Sequence, residues 1–278
     1  MNRMMTAAVA VAIMTLGGCK QHDGSNETAA GAAAAAATSI DGTWKADLAS
    51  VKFENKPEEW SIKDGLYNCP TCLPTPYKDF KADGAFHPVA DRPTFDNLSI
   101  TVADDKTVKM VRQKAGKEVG HNEMSVSADG KTLTNNWTAL NNANGKETSG
   151  SAMFSRVGDA PAGAHAVSGQ WAVNQAANIS PEALTATYKL EGDVLNATFG
   201  TGESYSAKLD GSDTPVKGDA AGGTVAVVRE GAGYKLTGKV GGKTTDLVTF
   251  TPASDGTMDV TSIDPRDNSK VSYKLVRQ

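Results

Sequence analysis

The sequence predicts an all-β protein built as two tandem antiparallel β-barrel or β-sandwich domains, and three observations carry that expectation. Apolar residues alternate with polar ones at a period of two, as in Leu98, Ile100 and Val102 around Ser99 and Thr101, or Leu184, Ala186, Tyr188 and Leu190 among polar neighbours. Turn residues punctuate this pattern at short intervals, among them Asp104-Asp105, Ala115-Gly116, Asp129-Gly130, Glu191-Gly192, Asp210-Gly211, Gly241-Gly242 and Asp255-Gly256. Asp-Gly pairs supply the positive φ that tight hairpins need, so consecutive strands should be antiparallel neighbours. The third observation is an internal repeat. Ile40-Asp41-Gly42-Thr43-Trp44 returns as Val167-Ser168-Gly169-Gln170-Trp171, and the two tryptophans lie 127 residues apart. Tyr77, Asp83-Gly84 and Pro88-Val89 return as Tyr205, Asp210-Gly211 and Pro215-Val216 in nearly the same register, and Ser127 to Thr132 is echoed by Ala253 to Thr257.

Taken in chain order, residues 1–18 read as a signal segment, because Arg3 precedes an apolar run from Ala7 to Leu16 that is too short to span a bilayer of about 30 Å. Directly after it, Leu16-Gly17-Gly18-Cys19 resembles the lipobox of bacterial lipoproteins. That resemblance implies a diacylglycerol on the Cys19 sulfur, a further acyl chain such as palmitate on its amine, and cleavage before it. Lys20 rather than Asp follows, which in Gram-negative lipoproteins implies the outer membrane, with the protein facing the periplasm. Residues 19–38 are polar and then alanine-rich without apolar periodicity, and read as a disordered tether; six consecutive alanines are too few for a stable isolated helix.

Residues 39–157 form the first expected barrel, 158–166 a linker with Pro161 and two glycines, and 167–278 the second barrel. About 120 residues per half, at roughly 8 to 12 residues per strand and turn, allow eight to ten strands each. That many strands in a small domain lose their exposed edges only by closing or by packing as two sheets. Gly42-x-Trp44 and Gly169-x-Trp171 resemble the Gly-x-Trp on the first strand of lipocalins. The lipocalin resemblance implies a tryptophan closing one barrel end under an arginine from a late strand, with Arg156 covering the first half and Arg277 the second. Tyr67-x-Cys69-x-x-Cys72, Pro76-Tyr77, Ala82-Asp83-Gly84, His87-Pro88-Val89 and Ser127-x-Asp129-Gly130-Lys131-Thr132 are similar to segments of uncharacterised bacterial secreted proteins and lipoproteins, a likeness that implies no activity.

Chemistry is sparse. With 28 Lys and Arg against 32 Asp and Glu the net charge is −4, which excludes a basic nucleic-acid footprint. Cys69 and Cys72 accompany only Cys19, and in an exported chain a structural disulfide leads over a redox site or a metal site. Pro74 and Pro76 oppose the helix that a thioredoxin-type cysteine uses to lower its pKa. His22, His87, His121 and His165 are isolated, so no metal site is expected, and Glu58-Glu59 and Asp104-Asp105 read as solvated turn charges. No nucleophile elbow, zincin motif or phosphate loop occurs, so no enzyme activity and no cofactor are expected. Two functions fit: a binding module for a small amphiphile inside a barrel, or an envelope interaction or inhibitor protein that engages a protein or glycan on its outer barrel surface.

Overall fold

The computed structural model describes residues 39–278, so the signal segment, Cys19 and the tether lie outside the described residues. The first half supplies β1 (Gly42–Glu54), β2 (Glu58–Lys63), β3 (Leu66–Cys69), β4 (Tyr77–Lys81), β5 (Asp83–Pro88), β6 (Asn97–Asp104), β7 (Thr107–Lys114), β8 (Lys117–Val126), β9 (Thr132–Ala139) and β10 (Thr148–Val157). The second supplies β11 (Gly169–Ala177), β12 (Thr185–Glu191), β13 (Val194–Phe199), β14 (Ser204–Lys208), β15 (Thr214–Pro215), β16 (Thr224–Glu230), β17 (Gly233–Val240), β18 (Lys243–Pro252), β19 (Thr257–Asp264) and β20 (Ser269–Arg277). One 3₁₀ turn, Pro181–Leu184, precedes β12. The Asp129-Gly130 and Asp255-Gly256 turns join β8 to β9 and β18 to β19, with Gly130 and Gly256 at φ 72° and 81°.

All pairings are antiparallel, and the strands make two nearly closed ten-stranded barrels. Their membership does not follow the sequence halves. The N-terminal barrel runs β4-β3-β2-β11-β10-β9-β8-β7-β6-β5, and the C-terminal barrel runs β14-β13-β12-β1-β20-β19-β18-β17-β16-β15. Each half thus lends its first strand to the other barrel. β1 lies between β12 and β20, with Trp44 opposite Ala186 on one side and Arg277 on the other. β11 lies between β2 and β10, with Trp171 opposite Glu58 and Arg156. The boundaries 39–157 and 167–278, expected to enclose one barrel each, therefore do not bound the barrels.

β10 and β11 are consecutive strands of one barrel, whereas β1 and β2 are not. The short stretch from Val157 to Gly169 folds β11 back as the antiparallel neighbour of β10, the arrangement short connections favour. β11 thereby occupies the slot that β1 would fill in a self-contained barrel. The homologous slot between β20 and β12 is left for β1, whose alternation fits it equally well. Two crossings, Asn55 to Pro57 and Asn178 to Leu184, carry the chain between barrels. Each barrel has its own apolar core, and Val173 of β11 packs against both.

Candidate functional site

One end of each barrel is closed in the same way. Trp44 and Trp171 are fully buried, and their indole Nε1 atoms donate to Ile40 O (2.8 Å) and Val167 O (2.9 Å). Arg277 Cζ lies 4.4 Å from the centre of the Trp44 ring and Arg156 Cζ 4.0 Å from that of Trp171. The covers are thus reversed from the sequence expectation: Arg156 caps the tryptophan of the second half and Arg277 that of the first, because the tryptophan-bearing strands are the exchanged ones. Each guanidinium is also tied to main chain, Arg156 to Gly130 O, Ser168 O and Ala166 O at 2.7, 2.7 and 2.6 Å, and Arg277 to Asp41 O and Ser39 O. Gly42 and Gly169 sit at φ +128° and +124°, and a Cβ on either would stand 2.6 Å from an arginine Nη1. The glycine of Gly-x-Trp is required there so that the arginine can lie across the ring.

The opposite end of the N-terminal barrel is different in kind. β7 presents Val108, Met110 and Arg112 inward at alternate positions, ending beside the β7–β8 turn. Arg112 is only 9% exposed, and its Nη1 and Nη2 both donate to Asn122 Oδ1 of β8, at 3.0 and 2.9 Å. Asn122 Nδ2 in turn donates to Asn135 Oδ1 of β9 at 3.0 Å. Two N–H groups of a five-donor guanidinium are thereby spent on one neutral oxygen. Among the described residues no carboxylate lies within ion-pair distance of Arg112. Burial pushes its pKa down to about 10, opposed by Tyr77 and by Glu118, whose carboxylate bonds His121 Nδ1 at 2.6 Å. It remains a cation at neutral pH.

The neighbouring loop adds a second buried guanidinium. Arg92 donates to Tyr77 Oη (2.9 Å), Leu73 O (2.5 Å) and Thr75 O (2.5 Å), and lies over the Tyr77 ring. Residues 89–96 thus form a loop whose ends meet through Val89 N to Asp96 O, with Phe95 buried in the core and Arg92 fastening it to the 73–77 segment. Cys69 and Cys72 are joined in a disulfide on this side, with Cα atoms 5.3 Å apart. Tyr67 next to them is fully buried, and burial holds its phenol well above the ordinary range, with Tyr77 and Glu58 adding to the effect. Glu58 is buried and points inward on β2, not into solvent as its sequence context suggested, because Pro57 ends the crossing and β2 begins at Glu58 beside Trp171.

The repeat provides an internal control. Strand register places Arg112, Asn122, Asn135 and Glu58 at the positions held in the C-terminal barrel by Gly238, Val248, Val260 and Ala186. The same slots can therefore be filled with small or apolar groups, and the polar layer is not a demand of the fold. Sequence reasoning passed over Arg112, Asn122 and Asn135 and took Glu58 for a solvated turn charge. The signal was present: in Val108-x-Met110-x-Arg112 and Leu133-x-Asn135 a polar residue continues an inward-facing apolar series, and the aligned repeat is apolar there.

The remaining candidates are peripheral. His87 Nε2 meets Asp83 Oδ1 at 2.8 Å and His165 Nε2 meets Asp104 O at 2.6 Å, while Asp105 lies exposed in the β6–β7 turn. Glu59 accepts from Gln170 at 3.2 Å. Among the described residues no three His, Cys, Asp or Glu side chains come together to hold a metal ion. No protein-family model matches this chain, and no curated protein or solved structure is significantly similar to it.

The disulfide closes a very short loop, so removing it releases little chain entropy. A Cys69→Ala/Cys72→Ala double variant is expected to lose less than the about 2 to 5 kcal/mol typical of native disulfides, read by urea denaturation. Alkylation of the native chain without reductant should add no mass at either position.

Proposed function

We propose that the protein is a non-catalytic binding module, tied to the outer membrane by a lipidated Cys19 and facing the periplasm, which holds a small amphiphilic molecule in its N-terminal barrel. One observation carries the reading: a buried polar layer at one end of that barrel occupies positions that the homologous barrel fills with Gly238, Val248, Val260 and Ala186. Burying a charged group without a carboxylate partner is costly. The C-terminal barrel buries charge as an Arg266–Asp264 pair at 2.6 Å, so a buried guanidinium with no carboxylate partner is a cost borne in the N-terminal barrel, which supports a role in recognition rather than in folding. Met110 and Met124 lie two residues inward of Arg112 and Asn122, within the packed core, and their flexible thioethers can repack.

The lipobox-like Leu16-Gly17-Gly18-Cys19 supports the anchor, each buried acyl methylene contributing about 0.8 kcal/mol of membrane affinity. Cys19→Ser should release the protein from the membrane fraction; retention of that variant, together with a wild-type chain bearing no acyl mass, would refute the anchor. Binding is tested by native mass spectrometry of the protein isolated from its own envelope. A small molecule should accompany it at a defined ratio, whereas capture of an envelope protein by two ligand-free barrels would favour an interaction role for the outer surface.

A further inference from the structure

We infer that Asn144 is a modification site, at which deamidation of the side chain releases the β9–β10 loop of the N-terminal barrel from a seat on the C-terminal barrel. The inference stands independently of the binding role proposed above. Residues 140–147 leave β9 beside Val119, to whose oxygen Leu140 N donates at 3.0 Å, and reach across to the β13–β14 turn. Asn144 makes the contact: its main-chain N donates to Thr201 O at 3.0 Å and its Nδ2 to Gly200 O at 2.9 Å. The seat is shaped for this loop. A Cβ on Gly202 would stand 2.5 Å from Asn144 N, and one on Gly218 would stand 2.5 Å from Ala143 Cβ, so two glycines of the C-terminal barrel leave the room that the loop occupies.

Asn144-Gly145 is the one Asn-Gly pair of the sequence, and both residues are exposed. Glycine has no Cβ to shield its own nitrogen, so Gly145 N can close on Asn144 Cγ. The new N–Cγ bond makes a succinimide, the Cγ–Nδ2 bond breaks, and Nδ2 leaves as ammonia with the proton from Gly145 N. Water then opens the ring to aspartate or isoaspartate. In its seat the loop resists this chemistry: Asn144 Oδ1 accepts from Lys146 N at 2.9 Å, Nδ2 is held by Gly200 O, and Gly145 N is engaged by Asn142 O at 2.9 Å. Lifting the loop frees Nδ2, and the product cannot dock again as the amide did. Its carboxylate keeps the Lys146 contact but has no N–H for Gly200 O, so acceptor would face acceptor, with Glu203 adding like charge on the same turn.

Peptide mapping by mass spectrometry of the full chain carrying Cys19→Ser, incubated at neutral pH both folded and in urea, tests the assignment. In the folded chain deamidation should fall on Asn144 ahead of every other asparagine from residue 39 onward. It should run roughly five- to hundredfold slower there than in urea, the range that two exposed hydrogen bonds support. Asn144→Asp, the aspartate product made directly, should speed hydrogen exchange in peptides covering 140–147 and 199–203 by at least about fivefold, with β-sheet circular dichroism and exchange across β16 to β19 unchanged. Equal deamidation rates in folded and unfolded chains would show that the seat gives no protection. An Asn144 that stays intact well beyond that range, or a different asparagine that converts first, would overturn the modification site. Native exchange in the Asn144→Asp chain would show that the amide does not hold the loop in place.

Discussion

A chain cleaved once in the exposed segment from Gly158 to Gly163 is expected to stay together as one particle, with unchanged β-sheet circular dichroism, and to separate only in denaturant. The expectation follows from the exchange of β1 and β11. Each fragment carries one strand that is paired on both edges inside the other fragment's barrel, β1 with β12 and β20, β11 with β2 and β10. Withdrawing either strand would break two rows of main-chain hydrogen bonds and carry a fully buried tryptophan into water. Such a trade is the intramolecular form of domain swapping. Size-exclusion chromatography of the nicked protein decides the matter. Two folded monomers eluting separately without denaturant would show that each half completes its own barrel.

The sequence carried the strand pattern, the hairpin turns and the repeat, because these are local or compare one segment with another. It did not carry the exchange. β1 and β11 share the Gly-x-Trp, the same alternation and the same spacing to the next strand, so nothing local distinguishes a strand in its own barrel from one in its twin's. The partner is visible only in the strand pairing itself, a tertiary fact. The same blindness reversed Arg156 and Arg277. At the candidate site the obstacle was of another sort. Arg112, Asn122 and Asn135 are far apart in sequence, match no motif, and on their own read as ordinary polar strand residues. Only strand register brings them onto one inner layer and sets them against Gly238, Val248 and Val260. Glu58 was misread for the adjacent reason, since an acidic pair after Lys56-Pro57 looks like a turn until β2 is seen to begin there. The cysteine pair was the easier reading, because proximity in sequence and a small set of thiols restrict the choices.

Trp44→Ala should be among the most destabilising single substitutions, and it should weaken the C-terminal barrel, although Trp44 belongs to the first half of the sequence. Truncating a fully buried tryptophan typically costs about 3 to 5 kcal/mol through lost burial and the cavity left behind. Here it also strips the support from beneath Arg277, which lies across the ring and binds Asp41 O and Ser39 O. The guanidinium would then have lost its cation–π contact, worth about 0.5 to 2 kcal/mol depending on how dry the site is. Because β1 is inserted between β12 and β20, the loss should propagate to those strands first. Hydrogen exchange read by mass spectrometry should therefore accelerate in peptides covering Ala186, Tyr188, Tyr273 and Leu275, while peptides covering Val108, Met110 and Leu133 keep their protection. Trp171→Ala should give the mirror image, with deprotection around Trp60, Ile62 and Phe154 beneath Arg156. If Trp44→Ala instead deprotected the N-terminal barrel, β1 would lie in its own half, and the exchanged topology would be wrong.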